Sequence, residues 1–457
     1  MNLKKNILRI FSANLLNMVS GLVISFIVPA ILSIDSYSFL KTYLFYISYI
    51  GLFHFGFIDG MYIKYGGKDV EDIELSILKT EHSMFIKLEI CVTIIFLLVA
   101  IIDRNLILFF MALSIIPINT LSFHQLFYQA TGQFKIYARI SYIYTMIYLI
   151  LNISLVFIFR NKNYIYYCLA NLISNIIIFL LLELKFYKNT QGIKCLYNKE
   201  LWKNIKVGFF ILLGNMSIIL FYGIDRWFIK LFYSISDFAY YSFAVSMLNL
   251  INLLVTSISI ALYNYLAKNE KKDEIIRIKN ILIILGTCAS FTYFIFAFIV
   301  TIFLKKYIPS LGVISISFAA YPYMIVISSL FVNLYKAKKL EKRYFKTVIV
   351  ILIVVCIYNV IATIISKDIR GIALATTLAF ITWYIYSIKD FSYLKPNIKE
   401  FMFLVINTIG FLIASNYLNL EVGAIVYLII LIGSILIFFK DTVKNEITNV
   451  LKIKYKN

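Results

Sequence analysis

Asp225 and Arg226 stand side by side inside an apolar run that ends near Tyr233, and they are the first chemistry the sequence offers. A charge at the centre of a membrane helix costs roughly 2.5 to 3.5 kcal/mol on insertion scales, so one retained there needs a reason. A carboxylate at that depth can hold a coupling ion, and a guanidinium can grip a phosphate through two parallel hydrogen bonds. The competing reading is a structural ion pair, or an Arg that snorkels to the interface along its stem. Lys230, one helical turn further on, and Lys41, near the outer end of another apolar run, extend the cationic character; both also suit an interfacial position. His54 lies five residues from Asp59, and a His near an acid can relay protons, although a lone His in a helix is more often packed and hydrogen-bonded. Asn14, Asn17, Gly21 and Ser25 recur at spacings of 3, 4 and 4, which puts them on one helical face. Ser242, Ser246, Asn249 and Thr256 share another face, and Asn215 sits inside a third run. Such stripes can bind a polar ligand, or pack helices through small side chains.

Positioning these residues requires membrane helices. Of 457 residues 61% are hydrophobic and 15% charged, with 17 Gly and 5 Pro, whereas a soluble chain sits near half apolar and one quarter charged. A soluble enzyme, a disordered tail and a secreted disulfide scaffold are excluded. At roughly 20 apolar residues per crossing, the runs give spans near residues 8–33, 39–58, 84–102, 105–128, 139–159, 164–186, 206–233, 238–264, 280–304, 309–334, 346–366, 369–389, 399–418 and 421–439. The first run is too long for a signal-peptide core and lacks a small-x-small site after it, so it reads as an uncleaved helix. Assigned to the nearest flank, 34 of the 44 Lys and Arg fall on the side of the N-terminus. Both termini and every long loop are therefore expected in the cytoplasm, which also accounts for the net charge of +21 without nucleic acid. The five cysteines show no CxxC spacing and read as free thiols. His54, His82 and His124 are far apart with no HExxH, so no metal centre is expected, and no GxxxxGK[ST] occurs for nucleotide hydrolysis. Lys87 and Glu89 open the third span and read as interfacial, and His124 as internal to its lobe.

The loops contain a repeat. "YQATGQFKIYAR" before the fifth span aligns with "YKAKKLEKRYFK" before the eleventh, pairing Tyr128 with Tyr335, Ala130 with Ala337, Lys135 with Lys342 and Tyr137 with Tyr344, and further on Asn152 with Asn359. Lys162, Leu169 and Ala170 match Lys367, Leu374 and Ala375 around the sixth and twelfth spans. The paired segments lie six spans apart, an even number, so both copies run the same way through the membrane. The expected fold is an all-α polytopic membrane protein of about fourteen transmembrane helices, in two six-helix lobes plus two C-terminal helices around a central cavity. Its expected parts are residues 1–190, a cytoplasmic linker 191–204, a second lobe 205–395, helices 13 and 14 in 396–440 and a basic tail 441–457. Rocking such lobes opens the cavity to one side at a time, which is transporter geometry and not that of an enzyme.

"GIDRWFIKLFYSISDFAYYSFAVSML" resembles the seventh and eighth helices of bacterial polysaccharide repeat-unit flippases, the Wzx type that serves O-antigen and capsule biosynthesis. "FIVPAILSIDSYSFLKTY" with Pro29, "YQATGQFKIYAR" and "IRGIALATTLAFI" are similar to the same family, within the wider superfamily of multidrug and oligosaccharidyl-lipid exporters. The resemblance implies translocation of an undecaprenyl-pyrophosphate-linked oligosaccharide across the bacterial inner membrane, with no cofactor beyond coupled H⁺ or Na⁺. Membrane lipids and the polysaccharide polymerase machinery are the implied partners. It also implies that helices one, two, seven and eight line the cavity. Asn14, Asn17, Lys41, Asn215, Arg226, Lys230 and Asn249 are then the substrate-binding candidates, and Asp225, His54 and Asp59 the ion-coupling ones. A drug or metabolite exporter on the same fold would want a more apolar cavity with few cations. A flippase of the peptidoglycan precursor lipid would carry cations on the first helix, where Asn14 and Asn17 stand. A non-transporting membrane scaffold gives no reason to retain Asp225.

Overall fold

In hydrocarbon every backbone N–H and C=O must be satisfied within its own segment, and a chain this apolar meets that demand with helices. The computed structural model describes residues 3–196, 201–266, 271–440, 442 and 444, and every regular element among them is helical. Among the described residues ten helices of 19 to 32 residues are long and apolar enough to cross a membrane. Two further pairs of shorter helices each make one bent span, which gives up to twelve. Helices also cover the expected first and eighth spans, α1 (Leu3–Ile31) and α9 (Ile235–Leu266), where several side chains lie outside the description. The chain divides into two compact units, Met1–Ile219 and Leu220–Asn457.

The first unit continues from α1 with α2 (Ile34–Ile47), α3 (Phe57–Tyr65), α4 (Leu75–Ile102), α5 (Leu106–Ala130), α6 (Phe134–Ile153), α7 (Tyr164–Asn189) and the first part of α8 (Leu201–Phe232). Here α1 packs on α6, α4 on α5, and α5 on α7. Side-chain caps start the helices at the short connections: Asn105 Oδ1 accepts from the N–H groups of Ile107 and Leu108, and Asn163 Oδ1 from that of Ile165. The second span is broken, with α2 and its following 3-10 turn bent 54° from α3. Gly56 at the bend has φ +83°, a left-handed conformation that glycine enters at no steric cost. Gly208 of α8 lies against it so closely that a Cβ on either would fall on the backbone of the other. The sequence put Glu89 at an interface; it is fully buried on α4 and accepts a hydrogen bond from Asn119 Nδ2 at 2.8 Å. Its position fifteen residues into a 28-residue helix, with an amide on the packed neighbour α5, is the reason.

The second unit contains the rest of α8, then α9, α10 (Lys272–Phe303), α11 (Leu311–Phe318), α12 (Tyr321–Val326), α13 (Val332–Ala337), α14 (Glu341–Ile365), α15 (Ile369–Ile388), α16 (Ile398–Asn416) and α17 (Leu420–Phe438). The tenth span breaks between α11 and α12 with a 49° bend. Pro322 enters at the start of α12, where a missing N–H costs little. Two hydroxyls satisfy carbonyls at the break: Ser290 Oγ donates to Phe318 at 2.8 Å and Thr377 Oγ1 to Ile316 at 3.0 Å. Tyr321 OH donates to the Leu248 carbonyl of α9 at 2.8 Å, and Asn333 Nδ2 to that of Ser259 at 2.7 Å. The broken span is thereby fastened along α9. Lys279 and Glu400, nearly inaccessible, form an ion pair of 2.7 Å between α10 and α16, and Glu400 also closes the capping box at the start of α16. The repeat-matched residues Tyr128 and Tyr335 both lie near the ends of helices, on α5 and α13, and Asn152 and Asn359 are both buried.

Candidate substrate cavity

The second unit encloses a cavity of about 360 Å³ whose walls come from α8, α9, the broken tenth span and α15. From α8 the residues Phe221, Tyr222, Asp225 and Arg226 face it, at a spacing that keeps one helical face together. From α9 come Tyr241, Asn249, Asn252 and Thr256, one to two turns apart. Ser317, Ala320, Met324 and Ser328 flank the α11–α12 break. Irregular backbone at membrane depth is tolerated where it is buried in protein or lines a polar cavity, and the break meets that condition. Thr376, Thr377 and Phe380 complete the wall from α15. One side is aromatic: Phe221 stands edge-on to Phe380 and Trp383, with centroids 5.2 and 4.8 Å away.

Asp225 is 6% exposed and its carboxylate is held at both oxygens. Oδ2 accepts from Tyr241 OH at 2.8 Å, and Oδ1 from the backbone N–H of Arg226 at 2.7 Å. The Arg226 side chain is half-buried, with Nη2 3.4 Å from the Tyr222 carbonyl. A carboxylate in a cavity wall can take up a cation or a proton, and a guanidinium beside it can meet an anion.

Of the sequence candidates, Asp225, Arg226 and Asn249 come together in this cavity, with Thr256 of the same α9 face; Ser242 and Ser246 of that stripe are buried. Lys230 is on α8 with its Nζ 5.3 Å over the Phe238 ring and does not line the cavity. The others belong to the first unit. His54 sits in the bend, where Nδ1 accepts from the Gly56 N–H at 3.1 Å, and its Nε2 lies 3.9 Å from Asp59 Oδ2. Lys41 has its Nζ 5.2 Å over the Tyr37 ring. Asn17 and Asn215 are exposed on α1 and α8, and the side chain of Asn14 lies outside the described residues. Tyr241, the partner that holds Asp225, was not singled out from the sequence, nor were Thr376 and Thr377. All three lie inside the motifs that carry the family resemblance, and that was the available signal. His82 and His124, distant in sequence, meet on Glu183 in the first unit.

The backbone arrangement matches solved transporters. A structure titled "Lipid II flippase MurJ, inward closed conformation" superposes with a TM-score of 0.69 at 15% identity, over 96% of this chain and 99% of the other. An inward-facing multidrug resistance MATE family transporter of the MOP superfamily matches with a TM-score of 0.51 at 14% identity, over 84% and 95%. No protein-family model and no curated relative matches the sequence. The chain shares the fold of these two structures. Both titles name transport proteins.

Proposed function

We propose that the protein is a flippase that carries an undecaprenyl-pyrophosphate-linked oligosaccharide across the bacterial inner membrane by alternating access, coupled to H⁺ or Na⁺. The observation that carries this reading is the cavity that holds Asp225 and Arg226 together with the amides of Asn249 and Asn252 and the hydroxyls of Thr256, Ser317 and Thr377. Each sugar hydroxyl moved into hydrocarbon without a partner costs about 4 to 8 kcal/mol. A wall of amides and hydroxyls removes that cost, while aromatic faces such as Phe221 can cover the apolar face of a sugar ring. Arg226 would meet the pyrophosphate and Asp225 the coupling ion. The likeness to a lipid II flippase supports a lipid-linked substrate on this fold, and Arg226 in the wall offers a donor for an anionic head group. The six-helix lobes 1–190 and 205–395 would rock about the linker, with both termini in the cytoplasm.

Deleting the gene in its host tests the reading: surface polysaccharide should disappear and lipid-linked intermediates accumulate on the cytoplasmic face. Normal polysaccharide with altered drug tolerance would point to an exporter on the same fold. For orientation, a membrane-impermeant thiol reagent on outer-permeabilised cells should label Ser236→Cys and spare Cys195. The reverse pattern overturns the assignment.

A further inference from the structure

Glu183 of α7 lies 101 residues from His82 of α4 and 59 from His124 of α5, yet Nε2 of both imidazoles converges on its Oε1, at 2.9 and 3.1 Å. One ligand atom from each of the three lies within 4.8 Å of the others. The histidine side chains are 8% and 2% exposed and the glutamate 26%, so the cluster is closed on the imidazole side and open on the carboxylate side. Phe186 packs on both rings, with centroids 4.3 and 5.6 Å away, and Phe123 walls them from the unit's interior.

We infer that His82, His124 and Glu183 form a divalent-metal site of the zinc type that ties α4, α5 and α7 together. Two imidazoles and a carboxylate are a donor set that zinc takes up readily, with water from the open side as fourth ligand. Donors about 2.0 to 2.2 Å from a tetrahedral zinc stand roughly 3.3 Å apart. The imidazole-to-carboxylate spacings need to open by a few tenths of an ångström, and the two imidazole nitrogens, within 4.8 Å of each other, to settle at the same separation. In the hydrogen-bonded state each Nε2 carries its proton toward Glu183. Metal binding takes both lone pairs and leaves each neutral ring protonated at Nδ1. Lys185, with its Nζ 5.2 Å over the Tyr128 ring that stacks on His124, opposes a dication, while the Glu183 charge offsets it. The site is separate from the cavity of the second unit and does not depend on the transport reading. Its role is to brace three helices near the end where α4 begins and α5 and α7 finish.

The test uses the full-length protein in detergent, purified without a histidine tag and stripped with chelator. Titration with Zn²⁺ alone should reach one equivalent per chain, and Co²⁺ should give the intense visible bands of a four- or five-coordinate site. His82→Ala and His124→Ala should each abolish this binding, and His54→Ala should keep it. Glu183→Gln, which preserves shape, should weaken zinc by about tenfold or more. Wild-type protein that takes up no Zn²⁺ and gives no cobalt bands overturns the site, as does full binding by folded His82→Ala or His124→Ala. The wild-type titrations decide the question even if an alanine variant fails to fold.

Discussion

In the first unit several buried charged groups are closed on neighbouring side chains. Lys64 meets Glu81 at 2.6 Å, Tyr65 OH donates to the same carboxylate at 2.6 Å, and Asn119 closes on Glu89. The second unit repeats that pattern at Lys279 and Glu400, but it also sets Asp225 in the wall of a cavity beside Arg226. All these groups face the same low-dielectric cost. The difference is where the satisfied group stands: between packed helices its partners fill the space, and in a cavity wall they leave room for a ligand. Burial of charge alone therefore does not distinguish these groups, and adjacency to open volume does.

The sharpest way to break the comparison is to open a closed pair. Glu400→Ala would leave Lys279 buried and unpaired, with an expected loss of about 3 to 5 kcal/mol in stability. The Lys279→Met/Glu400→Leu double variant should recover most of it. Thermal unfolding in detergent measures both, and a single-variant loss near zero would remove Lys279 and Glu400 from the structural class.

Asp225→Asn keeps size while removing the charge, so protein abundance should hold near wild type. Loss of a charge-assisted contact worth about 1.5 to 3 kcal/mol should lower transport by about 10- to 100-fold. Complementation of surface polysaccharide, read with membrane abundance, is the measurement. Full activity at native abundance would place Asp225 with the closed groups after all.

Gly208→Ala probes packing at the bend without touching any charge. Its Cβ would collide with the Gly56 carbonyl, so an overpacking cost of about 1 to 3 kcal/mol is expected. An unchanged unfolding midpoint would show that the bend has room to spare.

Tyr241→Phe should give the smallest effect, about 1 kcal/mol or roughly a fivefold fall in transport, because Asp225 keeps its backbone donor. Arg226→Lys alongside it should be impaired through loss of the planar fork, while Asp225 retains Tyr241. A Tyr241→Phe defect as deep as that of Asp225→Asn would mean that the hydroxyl, and not the charge, is the working group.

Much of the fold was legible because one force dominates it. Apolar runs of span length dictate helices in hydrocarbon, so the all-helical, multi-pass character of the chain followed from composition and polar punctuation. The breaks were harder to read. Gly56 and Pro322 are visible as residues, but other glycines and prolines sit in this chain without a comparable bend; Pro117 lies inside a continuous α5. A kink depends on whether a neighbour satisfies the freed carbonyls, as Ser290 does for Phe318.

By itself the sequence determined that this is a polytopic helical membrane protein and that Asp225 and Arg226 are costly where they stand. It also placed Asn249 and Thr256 on one face of a helix, since helical periodicity is local. Only tertiary structure decided which buried charge lines open volume and which is sealed. It put Tyr241 on Asp225, Asn119 on Glu89, Glu400 on Lys279, and two distant histidines on Glu183. The physical reason is that a side chain's environment in a membrane is set by the helices packed against it, and those neighbours lie tens to more than a hundred residues away in the chain.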